Sequence, residues 1–271
     1  MTSSDSLERA TALLALHAGP GFVIPNAWDG GSARVFEQLG FPAIATTSAG
    51  IAWSLGSRDG LAVGRDAMLE AIGRIVAAVG VPVTADLEDG YGDTADAVAD
   101  TVRAATALGA VGANIEDARD GALFSIDESA DRITAAREAA PRGTFVLNAR
   151  TDAYFVGAKT DPFKETIERA NRYLAAGADC IFVPGVGDAD TIRRLAAAIP
   201  APLNIVTGLA SAIPAPELFE LGVRRVSIGG GIARAALSFV ERAGRELRET
   251  GTLSFLEGAT SYAETQARFA E

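Results

Sequence analysis

Eight short apolar runs alternate with segments of helical length along this chain, and that alternation limits the fold more than any other feature. The runs are Phe22–Ile24, Ala43–Thr46, Val81–Ala85, Gly112–Ile115, Thr144–Leu147, Cys180–Val183, Pro202–Val206 and Arg225–Ile228. Between them Arg65–Val79, Ala95–Leu108, Glu128–Ala139, Phe163–Ala176 and Ala189–Ile199 are amphipathic or alanine-rich. Gly40, Gly80, Gly109, Gly177 and Gly222 precede the next run, where a helix commonly ends on a left-handed residue. Strand–helix alternation predicts a parallel sheet covered by helices. Eight such units within 271 residues match a closed α/β fold, the (β/α)8 TIM barrel. An open doubly wound sheet would place a G-x-G-x-x-G turn after its first strand. Here the first strand runs into P-N-A-W-D (25–29) instead, which favours the barrel.

Two segments fall outside the eight units. Residues 4–18 read as a helix covering the barrel's N-terminal end, and 252–270 as one or two helices after the last unit. The expectation is one barrel domain over 1–271, with 252–271 as a C-terminal helical tail. A net charge of −11 without basic runs argues against nucleic acid or an anionic membrane as partner. The single cysteine, Cys180, excludes an internal disulfide and suits a reducing compartment. Met1–Glu8 does not resemble a signal peptide, and the apolar runs are broken well before a membrane span, so a soluble cytoplasmic protein is expected. Cys180 itself reads as a small buried hydrophobe and His17 as a surface or packing residue.

Chemistry in a barrel gathers where the strands end. The third run exits into D-L-E-D-G-Y-G (86–92), and the fourth and fifth into Glu116-Asp117 and N-A-R-T-D (148–152). Asn26 and Asp29 follow the first run, Thr47, Ser48 and Gly50 the second, Asn204 and Thr207 lie at the seventh, and Gly229-Gly230-Gly231 follows the eighth. Clustered carboxylates at the end of a buried strand call for a cation. The one histidine and one cysteine lie elsewhere, so oxygen ligands and a hard ion, Mg2+ or Mn2+, are indicated. Asp86 is the expected direct ligand, with Glu88 and Glu116 holding metal-bound waters. The competing reading is that Glu88 and Glu116 only salt-bridge Arg150. A guanidinium at this rim suits bidentate capture of a carboxylate or phosphonate. With backbone N–H groups around Ser48-Ala49-Gly50, it would hold a 2-oxo acid and stabilise an enolate. Asn204 is a candidate contact for a distal carboxylate, or a turn residue. The glycine triplet is a candidate phosphate site, or a tight turn. The stretch Ala49–Gly64 reads as one long glycine-punctuated loop, a candidate lid.

These motifs resemble the isocitrate lyase/phosphoenolpyruvate mutase superfamily over nearly the whole chain: P-N-A-W-D (25–29), T-T-S-A-G (46–50), D-L-E-D-G-Y-G (86–92), N-I-E-D (114–117), N-A-R-T-D (148–152) and the run around Asn204. The resemblance implies a Mg2+-dependent barrel that breaks or forms C–C or C–P bonds beside a 2-oxo acid through an enolate. It also implies a homotetramer exchanging a C-terminal helix between subunits. By resemblance Ser48 and Gly50 cradle the 2-oxo acid carboxylate, Asp86 binds the metal, Glu88 and Glu116 its waters, and Arg150 the substrate oxygens. Asp59 belongs to the gating loop. The chain departs from the family's pattern at A-R-D-G-A-L-F-S-I-D (118–127), which lacks the K-K-C-G-H stretch of isocitrate and methylisocitrate lyases. It also lacks the lysine and asparagine of the mutases there, and carries Glu at 88 where the best-known members have Asp. What remains is a metal–enolate core without a leaving-group acid. That suits a carbon–carbon lyase acting on a 2-oxo or 2-hydroxy (di)carboxylic acid, with oxaloacetate decarboxylation as the leading expectation and Tyr91 or a water as a base if a hydroxy diacid is cleaved. The alternatives are a phosphonomutase-type C–P enzyme and a non-catalytic 2-oxo acid-binding barrel.

Overall fold

Proline cannot donate to a strand ladder, and Pro25 accordingly divides the first strand into two pieces that pair in opposite directions around the sheet. The computed structural model describes residues 3–60, 62–157, 161–210 and 212–269. Its principal sheet contains β1 (Phe22–Ile24), β2 (Asn26–Ala27), β3 (Ile44–Thr46), β4 (Val83–Asp86), β5 (Gly112–Glu116), β8 (Val146–Arg150), β9 (Cys180–Phe182), β10 (Leu203–Val206) and β11 (Arg225–Ser227). The order is β1-β11-β10-β9-β8-β5-β4-β3-β2, parallel throughout. β1 pairs with the last strand and β2 with β3, so the sheet closes through Pro25. The eight expected strands are thus present, the first in two pieces. A short antiparallel hairpin, β6 (Ala118–Arg119) and β7 (Ala122–Leu123), follows β5.

The helices lie outside. They include α2 (Gly30–Gln38), α4 (Arg65–Ala78), α5 (Ala95–Ala107), α6 (Ile126–Ala139), α7 (Pro162–Ala176), α8 (Ala189–Ala198) and α9 (Ala215–Glu220). Their apolar faces bury Ile72, Ile75, Val98, Val102, Ile133, Ile192 and Leu195 against the strands. α1 (Ser3–Ala18) closes the N-terminal end: Ala10 and Leu13 pack with Phe22, Ile24, Ala43, Val111 and Val146. A Cβ on Gly112 would sit 2.8 Å from the Val146 carbonyl and 3.2 Å from Leu13, so glycine there admits the helix to the barrel floor.

The structure corrects several sequence expectations. The third, fourth and fifth strands end later than their apolar residues suggest, because Asp86, Glu116 and Arg150 are the last residues of β4, β5 and β8. The loop expected over Ala49–Gly64 contains a helix, α3 (Ser48–Ser54), capped by the Thr47 side chain. Gly40, Gly109, Gly177 and Gly222 take the left-handed conformation; Gly80 does not, and its N–H instead bonds the Glu37 carboxylate at 2.5 Å.

α10 (Gly231–Glu249) buries only Ala233 and leaves Leu237, Phe239, Val240 and Leu247 exposed. α11 (Tyr262–Arg268) reaches α2, where Gln38 donates to the Arg268 carbonyl. No helix among the described residues is long and apolar enough to cross a membrane.

Candidate active site

The sheet register brings the carboxylates and the arginine together. Asp86 is level with Asn114, and Glu116 with Arg150, on adjacent strands. Two cavities open at this rim. One, of about 320 Å³, is lined by Ser48, Ala49, Asp59, Asp86, Asn114 and Arg150 together with Gly229-Gly230-Gly231 and Arg234. Trp53, Phe155, Phe182, Pro184 and Leu209 form its apolar wall. The second, of about 280 Å³, holds Glu88, Asp89, Glu116, Arg119 and Asp152. Ser48, Asp59, Arg150 and Phe155 line both.

Asp86 is the pivot. Its Oδ2 accepts from the Ser48 N–H at 2.9 Å and the Ser48 hydroxyl at 2.8 Å, and its own N–H donates to Thr46 Oγ1. Its Oδ1 is buried and has no hydrogen-bond partner among the described residues. A buried carboxylate oxygen without a donor is costly unless a cation meets it. No three His, Cys, Asp or Glu side chains among the described residues are grouped to hold a metal by themselves. The donor set therefore fits an ion that takes one direct carboxylate and keeps its waters, as Mg2+ does. Asp86 would hold it, and Glu88 and Glu116 are the candidates that would accept from its waters.

Glu88 sits at φ +48°, a conformation uncommon for a side chain of this size, and its Oε1 accepts the Tyr91 hydroxyl at 2.8 Å. Burial, followed by the Glu88 charge, drives the Tyr91 pKa strongly upward. A hydroxyl that is held as a donor and resists ionisation is poorly suited to act as the base considered from sequence. Glu116 lies 2.6 Å from Arg150 Nη1. Its pKa is raised well above the ordinary carboxylate value by burial; Arg150 opposes this, and Asp152, Asp86 and Glu88 add to it. Burial and the Asp86 charge also raise Asp59, while Arg150 lowers it.

Arg150 is clamped rather than free. Its Nε and Nη2 bond the two oxygens of Asp152 at 2.7 and 3.0 Å. Asp152 is held in turn by Asp117, whose Oδ1 accepts the Asp152 N–H while its Oδ2 accepts Tyr173 and Arg169. The I-E-D and N-A-R-T-D motifs are thus one assembly: the acid after Glu116 fixes the acid that orients the arginine. Glu116 pairs with Arg150, as the competing reading expects, whereas Glu88 accepts from Tyr91.

Other candidates fall differently. Ser48 and Ala49 line the larger cavity, but Gly50 does not. A Cβ on Gly50 would lie 2.6 Å from Thr47 Cγ2 and 2.9 Å from Trp28 Cβ, and its N–H bonds Thr47 Oγ1. Its contribution is close packing, not the expected cradle. Asn204 is fully buried, lines neither cavity, and spends its Nδ2 on Ser227 Oγ and backbone carbonyls. It is an interior residue and not a distal carboxylate contact. Asp29 is consumed as the N-cap of α2. Cys180 is buried, and burial pushes its thiol up to about 12.

Sequence reading missed Asn114 and Arg234, and placed Asn26 at the rim and Arg119 in the 118–127 stretch without a defined role. Asn26 accepts the Ile228 and Gly229 N–H groups and so fixes the glycine turn. Arg234 opens on the cavity, donates only to the Gly208 carbonyl at 3.3 Å, and has no carboxylate partner among the described residues. Asn114 lines the cavity floor. Arg119 is pinned by Asp89, Asp93 and the Gly92 carbonyl, so the β6–β7 hairpin is fastened to the acidic turn. Rim position flags Asn26 and could have flagged Asn114; the pairings of Arg119 and Arg234 depend on loop geometry that periodicity does not reveal.

Comparison with known proteins places this geometry. The family model described as phosphoenolpyruvate phosphomutase matches residues 13–248. The chain is 34% identical over 218 residues to 2-methylisocitrate lyase of Shewanella oneidensis, covering 75% of this chain and 73% of that one. It is 30% identical over 284 residues to oxaloacetate decarboxylase of Bradyrhizobium diazoefficiens, covering 97% and 96%. An uncharacterised Mycobacterium tuberculosis protein is 40% identical over 257 residues, 94% of each chain. Among solved structures, oxaloacetate acetylhydrolase with its product oxalate superposes with TM-score 0.87 at 28% identity, covering 97% and 94%. Phosphonopyruvate hydrolase, complexed with oxalate and Mg2+, gives TM-score 0.87 at 26% identity, covering 96% and 94%.

Proposed function

Because the chain belongs to the phosphoenolpyruvate mutase/isocitrate lyase superfamily, we propose that it is a Mg2+-dependent carbon–carbon lyase acting on a 2-oxo or 2-hydroxy dicarboxylic acid through an enolate, with oxaloacetate decarboxylation as the reaction it fits best. The carrying observation is the donorless, buried Oδ1 of Asp86 on the wall of the larger cavity, which it shares with a clamped Arg150.

When bound, Mg2+ would supply Lewis acidity to the oxygens of the 2-oxo acid. Asp86 would hold the ion, and Glu88 and Glu116 would accept from its waters. Arg150, its direction set by Asp152 and Glu116, turns its remaining N–H groups to the substrate's carboxylate or carbonyl oxygen. In decarboxylation the C3–C4 bond of oxaloacetate breaks, CO2 leaves, and the electron pair moves to the C2 oxygen as an enolate. A solvent proton then closes C3 to give pyruvate, so no acid from residues 118–127 is required. Arg234, which lines the same cavity and has no carboxylate partner among the described residues, is suited to the substrate's second carboxylate. The absence of a cysteine, lysine or histidine in 118–127 argues against isocitrate and methylisocitrate cleavage, although methylisocitrate lyases are among the relatives.

We further propose a soluble cytoplasmic homo-oligomer, in a tetramer arrangement, in which the exposed apolar face of α10 is covered by a neighbouring subunit. Purified protein with Mg2+ should release pyruvate from oxaloacetate well above the metal-only rate. Release at the metal-only rate would exclude the decarboxylase, and turnover of phosphonopyruvate instead would select the C–P alternative. Binding of 2-oxo acids without turnover of any of them would point to a non-catalytic barrel.

A further inference from the structure

The floor of the larger cavity rests on a chain of buried amides whose orientation is fully determined. Asn204 Nδ2 donates to Ser227 Oγ at 3.1 Å and to the Ile205 and Arg225 carbonyls, so Asn204 Oδ1 is its acceptor end. Asn148 Nδ2 donates to that Oδ1 at 3.0 Å and to Asn114 Oδ1 at 2.6 Å. Arg225, fully buried, adds Nη2 to the same Asn114 Oδ1 at 3.4 Å. Amide oxygen and nitrogen are told apart by such a network, and here each link fixes the next. Asn114 Oδ1 faces two donors from below, which leaves Nδ2 as the end turned away from them.

Asn114 lines the cavity and is level with Asp86 on the neighbouring strand. Its Nδ2 makes no hydrogen bond among the described residues, and it is not one of the buried atoms without a partner, so it is open to the cavity. We propose that Asn114 Nδ2 is a substrate-binding donor that hydrogen-bonds the oxygen on which enolate charge develops, and that Asn148, Asn204 and Arg225 are positioning residues that keep the amide from turning over. A preorganised donor aimed at developing charge stabilises the transition state without reorganisation. The reversed amide would present an oxygen to an anion and repel it. Nothing in the spacing of N-I-E-D identifies this role; it emerges from the bonds that Asn114 does and does not make.

The inference rests on the proposed enolate chemistry, and the test separates the two. The probe is oxalate, a planar dianion with the oxygen arrangement of a pyruvate enolate, titrated calorimetrically into the full chain with and without Mg2+. Asn114→Ala should weaken Mg2+-dependent oxalate binding about tenfold or more, the usual effect of losing a donor to a charged oxygen. Asn114→Asp keeps the shape and the Oδ1 acceptor but replaces the donor with a repelling carboxylate, and should weaken it further. Asn148→Asp exchanges the donor below Asn114 for an acceptor, so the amide should turn over. Oxalate affinity should then fall although residue 148 lines neither cavity. Near-ultraviolet circular dichroism confirms folding, and either Asn114 variant alone is sufficient. If wild type binds oxalate with Mg2+ and the folded Asn114 variants bind within twofold of it, the donor role is overturned while the enzyme reading stands. If wild type shows no Mg2+-dependent oxalate binding, the enzyme reading fails and this inference with it.

Discussion

Arg150→Met removes the cation from a site where Glu116 lies 2.6 Å from Nη1 and Asp152 is held by two bonds of 2.7 and 3.0 Å. Removing one partner of a buried pair costs about 3–5 kcal/mol because the remaining charge is left without compensation. The Arg150 side chain keeps 19% of its exposure, so the low end, about 3 kcal/mol, applies. Unfolding entropy near the midpoint is about 2.1 cal/mol/K per residue, or about 0.57 kcal/mol/K for 271 residues. The expected fall in Tm is therefore about 5 °C in metal-free buffer. Arg150→Lys retains one charge but not the bidentate clamp, and should lose about half as much. Added Mg2+ should recover part of the loss in Arg150→Met, since a second cation meets the same carboxylates. Differential scanning calorimetry in EDTA and then in Mg2+ reads all three quantities. A metal-free Tm for Arg150→Met within about 1 °C of wild type would refute the reasoning that the arginine compensates these acids.

Other consequences follow from the same geometry. Gly50→Ala places a methyl 2.6 Å from Thr47 Cγ2 and 2.9 Å from Trp28 Cβ, and should destabilise the protein by about 1–3 kcal/mol in urea unfolding. An unchanged midpoint would mean that α3 can shift freely. Burial, assisted by the Arg225 charge, lowers His17 to about 4, so the folded state binds this proton more weakly than the unfolded chain. That contribution to stability is complete above about pH 6.5 and is lost progressively toward about pH 4, up to about 3 kcal/mol. His17→Leu should flatten the slope of stability over this interval, and a slope unchanged by the substitution would show that His17 does not cause it. Tyr91→Phe removes a donor to Glu88 but no base, so kcat should fall less than about tenfold with an unaltered pH profile. Loss of the acidic limb of the profile, where activity rises as a base loses its proton, would restore Tyr91 as a base.

The strand–helix alternation made the barrel legible because each strand buried on both faces leaves a continuous apolar run, and Gly40, Gly109, Gly177 and Gly222 take the left-handed turns expected of them. The acids and Arg150 were legible for the converse reason: charge at the end of an apolar run is conspicuous. Asn204 misled because an amide looks the same on a rim and in an interior network; only its bonds to Ser227, Asn148 and backbone carbonyls distinguish them. Gly50 misled similarly, since a glycine kept for close approach and one kept for anion contact share a letter. α3 was read as loop because seven residues, S-A-G-I-A-W-S, are too short for a helical period to show. The orientation of Asn114 has no signature along the chain, because Asn148, Asn204 and Arg225 reach it from distant segments.

Every variant of the proposed reaction passes through an enolate beside a 2-oxo acid, so exchange of the pyruvate methyl protons with D2O, followed by proton NMR, tests the claim most directly. Wild type with Mg2+ should accelerate exchange well above the metal-only rate, and EDTA or Asp86→Ala should return it to that rate. Exchange at the metal-only rate with folded wild-type protein, or acceleration that survives Asp86→Ala, would contradict the assignment of a metal-assisted enolate site to Asp86 and Arg150.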